Sequence, residues 1–182
     1  MAVFVTAAHA LRDEDPALTY FRDLSIYEYL PEFARLDTRN VGWLDIKHEF
    51  DRGEPSIHDL DLLWEFCKIS FAQTRGVHCC NICKNEEVLV CEDRELKLLL
   101  GTAEIRVLSK NGVIYSSPTL IFHYVLVHKY RPPNEFMDAL RAGLSPPNEK
   151  YFDRVNELGL EWNETSIAET INGKAIFRKL LE

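Results

Sequence analysis

Long hydrophobic runs are missing from this chain. Although 46% of its 182 residues are hydrophobic, no stretch approaches the roughly 18 consecutive apolar residues of a membrane-spanning helix. Positive charge is also scarce. Twenty-one Lys and Arg against 29 Asp and Glu leave a net charge of −8, whereas phosphate-tracking nucleic-acid binders draw their affinity from clustered Lys and Arg. Neither a membrane nor a nucleic acid is therefore an expected partner. The five cysteines are too few and of the wrong parity for a disulfide framework. Met1 to Ala10 is apolar, but it lacks a basic stretch and runs into Arg12-Asp13-Glu14-Asp15, unlike a secretory signal. These absences together predict a cytoplasmic protein.

Catalytic signatures are absent as well. The chain has no Gly-x-x-x-x-Gly-Lys, Gly-x-Gly-x-x-Gly, His-Glu-x-x-His or Gly-x-Ser-x-Gly pattern. Zinc deaminases pair a Cys-x-x-Cys with a His-x-Glu whose Glu shuttles protons; the nearest match, His48-Glu49, has its two residues adjacent. No repeat and no low-complexity linker divides the chain.

What is present suits one α+β domain. Ser56 and Asp59 form a capping pattern for a helix over 56–72, with Leu60, Leu63, Trp64, Cys67 and Phe71 at helical spacing. Cys67 on that stripe reads as a small buried apolar residue. The β-rich runs 102–108 and 113–116 are joined through Asn111-Gly112, a hairpin signal. Pro118 at a first helical position predicts a helix over 118–130, and two more are expected over 134–143 and 147–159. A helical tail from 164, broken near Asn172-Gly173, completes the expectation. The fold class is α+β: a small antiparallel sheet with its hairpin at 102–117, packed with several helices and carrying a zinc-knuckle insert. The expected divisions are a leader over 1–18, a zinc-containing core over 19–144, and a helical C-terminal extension over 145–182 packed on that core.

One constellation carries chemistry. Three of the five cysteines, Cys79, Cys80 and Cys83, fall within five positions. Crowding of this kind in a reducing compartment points to metal binding or thiol reactivity rather than disulfides. A Cys-x-x-Cys turn presents two thiolates to Zn2+, and imidazoles three to five residues apart on a helix complete a tetrahedron. Cys80, Cys83, His123 and His128 are the predicted ligands, with His78 the alternative for one histidine. Cys79 points away from Cys80 on an extended segment and is left out. Glu104 and Arg106, two apart on a strand, share a face and read as an ion pair; Arg75 precedes the cysteines. Asp45 and His48 read as a structural turn.

These motifs resemble an uncharacterised bacterial family, a domain of unknown function. The resemblance rests on Tyr20-Phe21-Arg22-Asp23-Leu24-Ser25, Asn40-Val41-Gly42-Trp43-Leu44-Asp45 and Thr74-Arg75-Gly76-Val77-His78, followed by Cys80 and Cys83. It continues through Gly101-Thr102-Ala103-Glu104-Ile105-Arg106-Val107, Pro118, His123-Tyr124-Val125, His128, Tyr130 and Pro132-Pro133-Asn134-Glu135-Phe136, and spans about 19–140. It implies a metal site and no particular activity.

Two functions are expected from these features. The first, favoured over an enzyme with that question left open, is a zinc-stabilised interaction protein whose acidic surface binds a protein partner with a basic face, such as a toxin neutralised by its immunity protein. The second is a zinc-dependent hydrolase with Glu104 or Asp45 as base.

Overall fold

A computed structural model describes residues 3–7, 20–35, 37–74, 76–83, 88–93, 96–164, 167–171 and 174–178, with side chains over 20–35, 37–74, 76–83 and 98–164. Arg75 and leader residues 8–18 lie outside the described residues.

The α+β class holds. A central sheet is built from β2 (Thr38–Asn40), β3 (Ile69–Phe71), β6 (Glu104–Leu108), β7 (Ile114–Pro118) and β8 (Trp162–Glu164), in the order β2-β7-β6-β3-β8. All its pairings are antiparallel except β2 with β7. A second sheet joins β1 (Val3–Ala7), β4 (Val88–Asp93), β5 (Leu96–Leu99), β9 (Ile167–Ile171) and β10 (Lys174–Arg178) in the order β1-β4-β5-β9-β10. Helices α1 (Ile57–Cys67), α2 (Ile121–His128), α3 (Asn134–Ala142) and α4 (Glu149–Glu157), with one 3-10 turn at Pro31–Phe33, complete the elements among the described residues.

The β6–β7 hairpin forms where Asn-Gly predicts it. Gly112 takes φ +91°, a left-handed conformation that glycine adopts at no steric cost. Val107 faces Tyr115 across the hairpin, and Tyr115 packs edge-on against Phe136 of α3. Ile105 and Val107 are fully buried, so this sheet face belongs to the hydrophobic core. Leu63, Trp64 and Cys67 of α1 are also buried in it, and the Trp64 ring leans on Phe122 of α2.

Ser56 caps α1 as expected, its hydroxyl accepting the Asp59 amide at 3.1 Å. Ser56→Ala should cost about 1 kcal/mol, seen as a lower urea midpoint with unchanged slope. Asp59 also accepts the Arg141 fork at 2.8 and 2.9 Å. That bidentate pair ties α1 to α3 and, more than any other influence, holds the Asp59 carboxyl below its ordinary range.

Three expected elements differ. The first helix stops at Cys67, and Phe71 joins strand β3 between β6 and β8, because pairing on both edges outweighs continuing a helical stripe. Pro118 ends β7 opposite Glu104, so α2 starts at Ile121 instead of at the proline. The tail over 167–171 and 174–178 is a strand pair, not a helix. Its two segments are rich in β-branched and aromatic residues, types that favour a sheet; Asn172-Gly173, where a break is expected, lies outside the described residues.

Candidate metal centre

The two cysteines enter from the segment between β3 and β4. There residues 81–83 form a turn, and the Ile82 and Cys83 amides donate to the Cys80 sulfur. This segment is pinned to the start of the hairpin by hydrogen bonds from Thr74 N to Thr102 O and from His78 N to Gly101 O, both 2.8 Å. Gly101 sits at φ +89°, and a Cβ there would lie 2.1 Å from the His78 carbonyl oxygen. No side chain fits. Gly101→Ala is therefore expected to cost about 2 kcal/mol or more and to loosen the cysteine turn, read as weakened metal retention in a chelator competition. Unchanged retention would mean that this contact does not position the thiols.

The histidines come from α2. Five residues on a regular helix place two side chains roughly 140° apart around the axis, which would keep them from a common ion. Here His128 is the last helical residue. Lys129 turns left-handed at φ 58°, and its amide returns to the Tyr124 carbonyl. Residues beyond the helix hold this end in place. The Arg52 guanidinium donates to His128 O at 2.6 Å, Gly53 N to Lys129 O at 2.9 Å and Arg131 N to Asp51 O at 2.8 Å. The Tyr130 hydroxyl donates to Asp23 at 2.7 Å, and Asp23 also accepts the Gly42 amide. The His123 and His128 Nε2 atoms consequently meet at 3.1 Å.

Cys83 Sγ lies 3.2 Å from His123 Nε2 and 3.1 Å from His128 Nε2, and Cys80 Sγ lies 3.3 Å from His128 Nε2. All four donor atoms fall within 4.8 Å of one another. Metal–donor bonds of about 2.0–2.3 Å imply tetrahedron edges of roughly 3.3–3.8 Å, so the observed contacts of 3.1–3.3 Å lie at or slightly below the short end of that range. Hydrogen bonding alone does not account for the cluster, since His128 Nε2 meets Cys80 Sγ, Cys83 Sγ and His123 Nε2, whereas an imidazole nitrogen offers a single hydrogen or a single lone pair. A central cation satisfies all four. Cys80 and His123 are buried, Cys83 and His128 half-buried. Burial pushes the Cys80 thiol up to about 12, so without a cation it stays protonated. Burial, and then the neighbouring His128, lower His123 to about 4, which leaves the neutral imidazole a metal requires. The four residues can hold a metal ion.

A family model matches residues 19–141, well over half of the chain. The chain belongs to the DUF7919 family, a domain of unknown function. The DUF7919 span includes both cysteines, both histidines and the β6–β7 hairpin, and it ends within α3. It agrees with the span of the resemblance drawn from the motifs. Searches of curated proteins and of solved structures return no match.

The other singled-out residues have different partners. His78, the alternative ligand, lies outside the four-donor cluster, its Nε2 3.4 Å from the Tyr29 hydroxyl. Asp45 accepts the Lys47 and His48 amides, each at 3.0 Å, and His48 Nδ1 at 2.7 Å, which makes the structural turn expected there. Glu104 and Arg106 do pair, but in the interior. Glu104 Oε1 accepts the Tyr27 hydroxyl at 2.8 Å, and Oε2 takes the Ser116 hydroxyl and Arg106 Nη1. Sequence reasoning assigns no site role to Tyr27, Ser116, Asp23 or Tyr130. Tyr27–Glu104 and Tyr130–Asp23 join residues 77 and 107 apart, which no local spacing signals, whereas Ser116 faces Arg106 across the β6–β7 hairpin, a pairing that the Asn-Gly turn could have pointed to.

Proposed function

We propose that this protein is a zinc-stabilised interaction protein whose acidic surface binds a partner with a basic face. The observation that carries the metal half is the set of four protein donors within 4.8 Å of one another. Two thiolates and two imidazoles suit tetrahedral zinc. Four protein ligands also leave no coordination position for a reacting water, which favours a structural ion over a catalytic one. The hydrolase alternative is weakened further because its two candidate bases are engaged elsewhere. Asp45 is bonded to its own turn, and Glu104 to Tyr27, Ser116 and Arg106.

The net charge of −8 supports the partner half, since charge complementarity speeds encounter and selects among partners. A cytoplasmic immunity protein that occludes a basic toxin fits this chemistry. Zinc-loaded protein screened against the products of neighbouring genes should retain one basic protein, in a complex that weakens steeply as salt rises. Retention of no basic protein, or a complex indifferent to salt, would sink the proposal. Turnover of a test ester or peptide by the zinc-loaded protein, abolished by a chelator, would favour the hydrolase.

A further inference from the structure

The sheet face opposite Ile105 and Val107 carries a buried polar row. Asn40 on β2 is in register with Ser116 on β7, and Ser116 with Arg106 on β6, so the three side chains share one face. All three are fully buried, Arg106 included. The guanidinium lies 5.0 Å from the Tyr27 ring centroid and 5.8 Å from that of Phe71. Its Nη1 bonds to Glu104 and, at 2.6 Å, to the Ser116 hydroxyl.

Among the described residues, the opposite edge of the guanidinium has no hydrogen-bond partner at either Nε or Nη2, and Asn40 Oδ1 has none either. Elsewhere in this protein the same edge of Arg141 grips a carboxylate with both nitrogens. An open fork in the interior is costly, because the donors have left water and gained nothing in exchange.

We propose that this face holds an internal water, which accepts from Arg106 Nε and Nη2 and donates to Asn40 Oδ1. Charge decides the kind of guest. Glu104 already neutralises Arg106, so a bound carboxylate or phosphate would add an unpaired buried negative charge. A neutral molecule that takes two hydrogen bonds and gives one matches the three orphaned atoms, and a buried water makes about three such bonds. The same side-chain amide fixes Asn40 from its other end, with Nδ2 donating to Ser25 Oγ at 3.1 Å and to Ile26 O at 2.9 Å. The acceptor is thereby held still for the guest.

The test needs only the metal-loaded wild-type protein. The Arg106 Nε–H resonance should exchange slowly with solvent yet show a direct cross-relaxation peak to a long-lived water. A protected Nε–H with no water peak overturns the proposal. So does a saturable shift of that resonance on adding acetate or inorganic phosphate, which would show that the fork receives an anion.

Discussion

Protein purified without added metal should carry about one zinc per chain, and Cys80→Ser and His123→Ala should each lose it together with the native fold. The expected effect is large because the ion joins two segments 40 residues apart in sequence, the cysteine turn and α2. Structural zinc contributes apparent binding free energies of about 10–16 kcal/mol in small zinc modules. This domain has a core of its own, so part of the fold should survive chelation, with the turn over 80–83 and the end of α2 released first. Acid should mimic the chelator. The bound form needs thiolates and neutral imidazoles, so binding at neutral pH displaces the proton that Cys80, with its thiol up at about 12, holds in the metal-free site. Affinity must then fall as pH falls. Metal analysis alongside thermal unfolding checks both statements. Folded, metal-free wild-type protein would refute the structural-zinc reading and leave the cysteines as free thiols.

Arg106→Met should destabilise the protein by about 3–5 kcal/mol, and Glu104→Gln by a similar amount, because each change strips a buried ion of its partner. Glu104 would be left with only two hydroxyl donors, from Tyr27 and Ser116. In Glu104→Gln, Arg106 would lose its buried counter-charge and keep only neutral acceptors, among them the Ser116 hydroxyl and the Ile105 carbonyl oxygen. Replacing both with apolar residues should cost much less than the sum of the single changes, since no charge then remains to be desolvated. Urea titration of the four proteins closes the cycle. Single changes that cost no more than typical surface substitutions would mean that the pair is not buried in solution as it is here.

The predictable parts of the fold were those carried by neighbours in sequence. Asn111-Gly112 predicts its hairpin, and Ser56 its cap. Asn134 and Gly143 bracket α3, and a Cys-x-x-Cys turn announces two ligands through its bite alone. The tail reads as helical in sequence yet pairs as strands, because short segments with mixed periodicity take their conformation from the strand they can pair with. The sequence also leaves His78, His123 and His128 as alternatives, since spacing cannot tell how a helix ends.

The sequence by itself determined an acidic α+β domain, the capped start of its first helix, and a set of cysteines and histidines from which a metal site could be chosen. The tertiary structure decided which histidines meet. The left-handed turn at Lys129 and the strap from Arg52 and Gly53 end α2 where His128 can face His123, while His78 is turned toward Tyr29. It also placed Glu104 and Arg106 in the interior beneath Tyr27. Two-residue spacing puts both on one face of a strand, but which face is dry depends on what the rest of the chain lays over it.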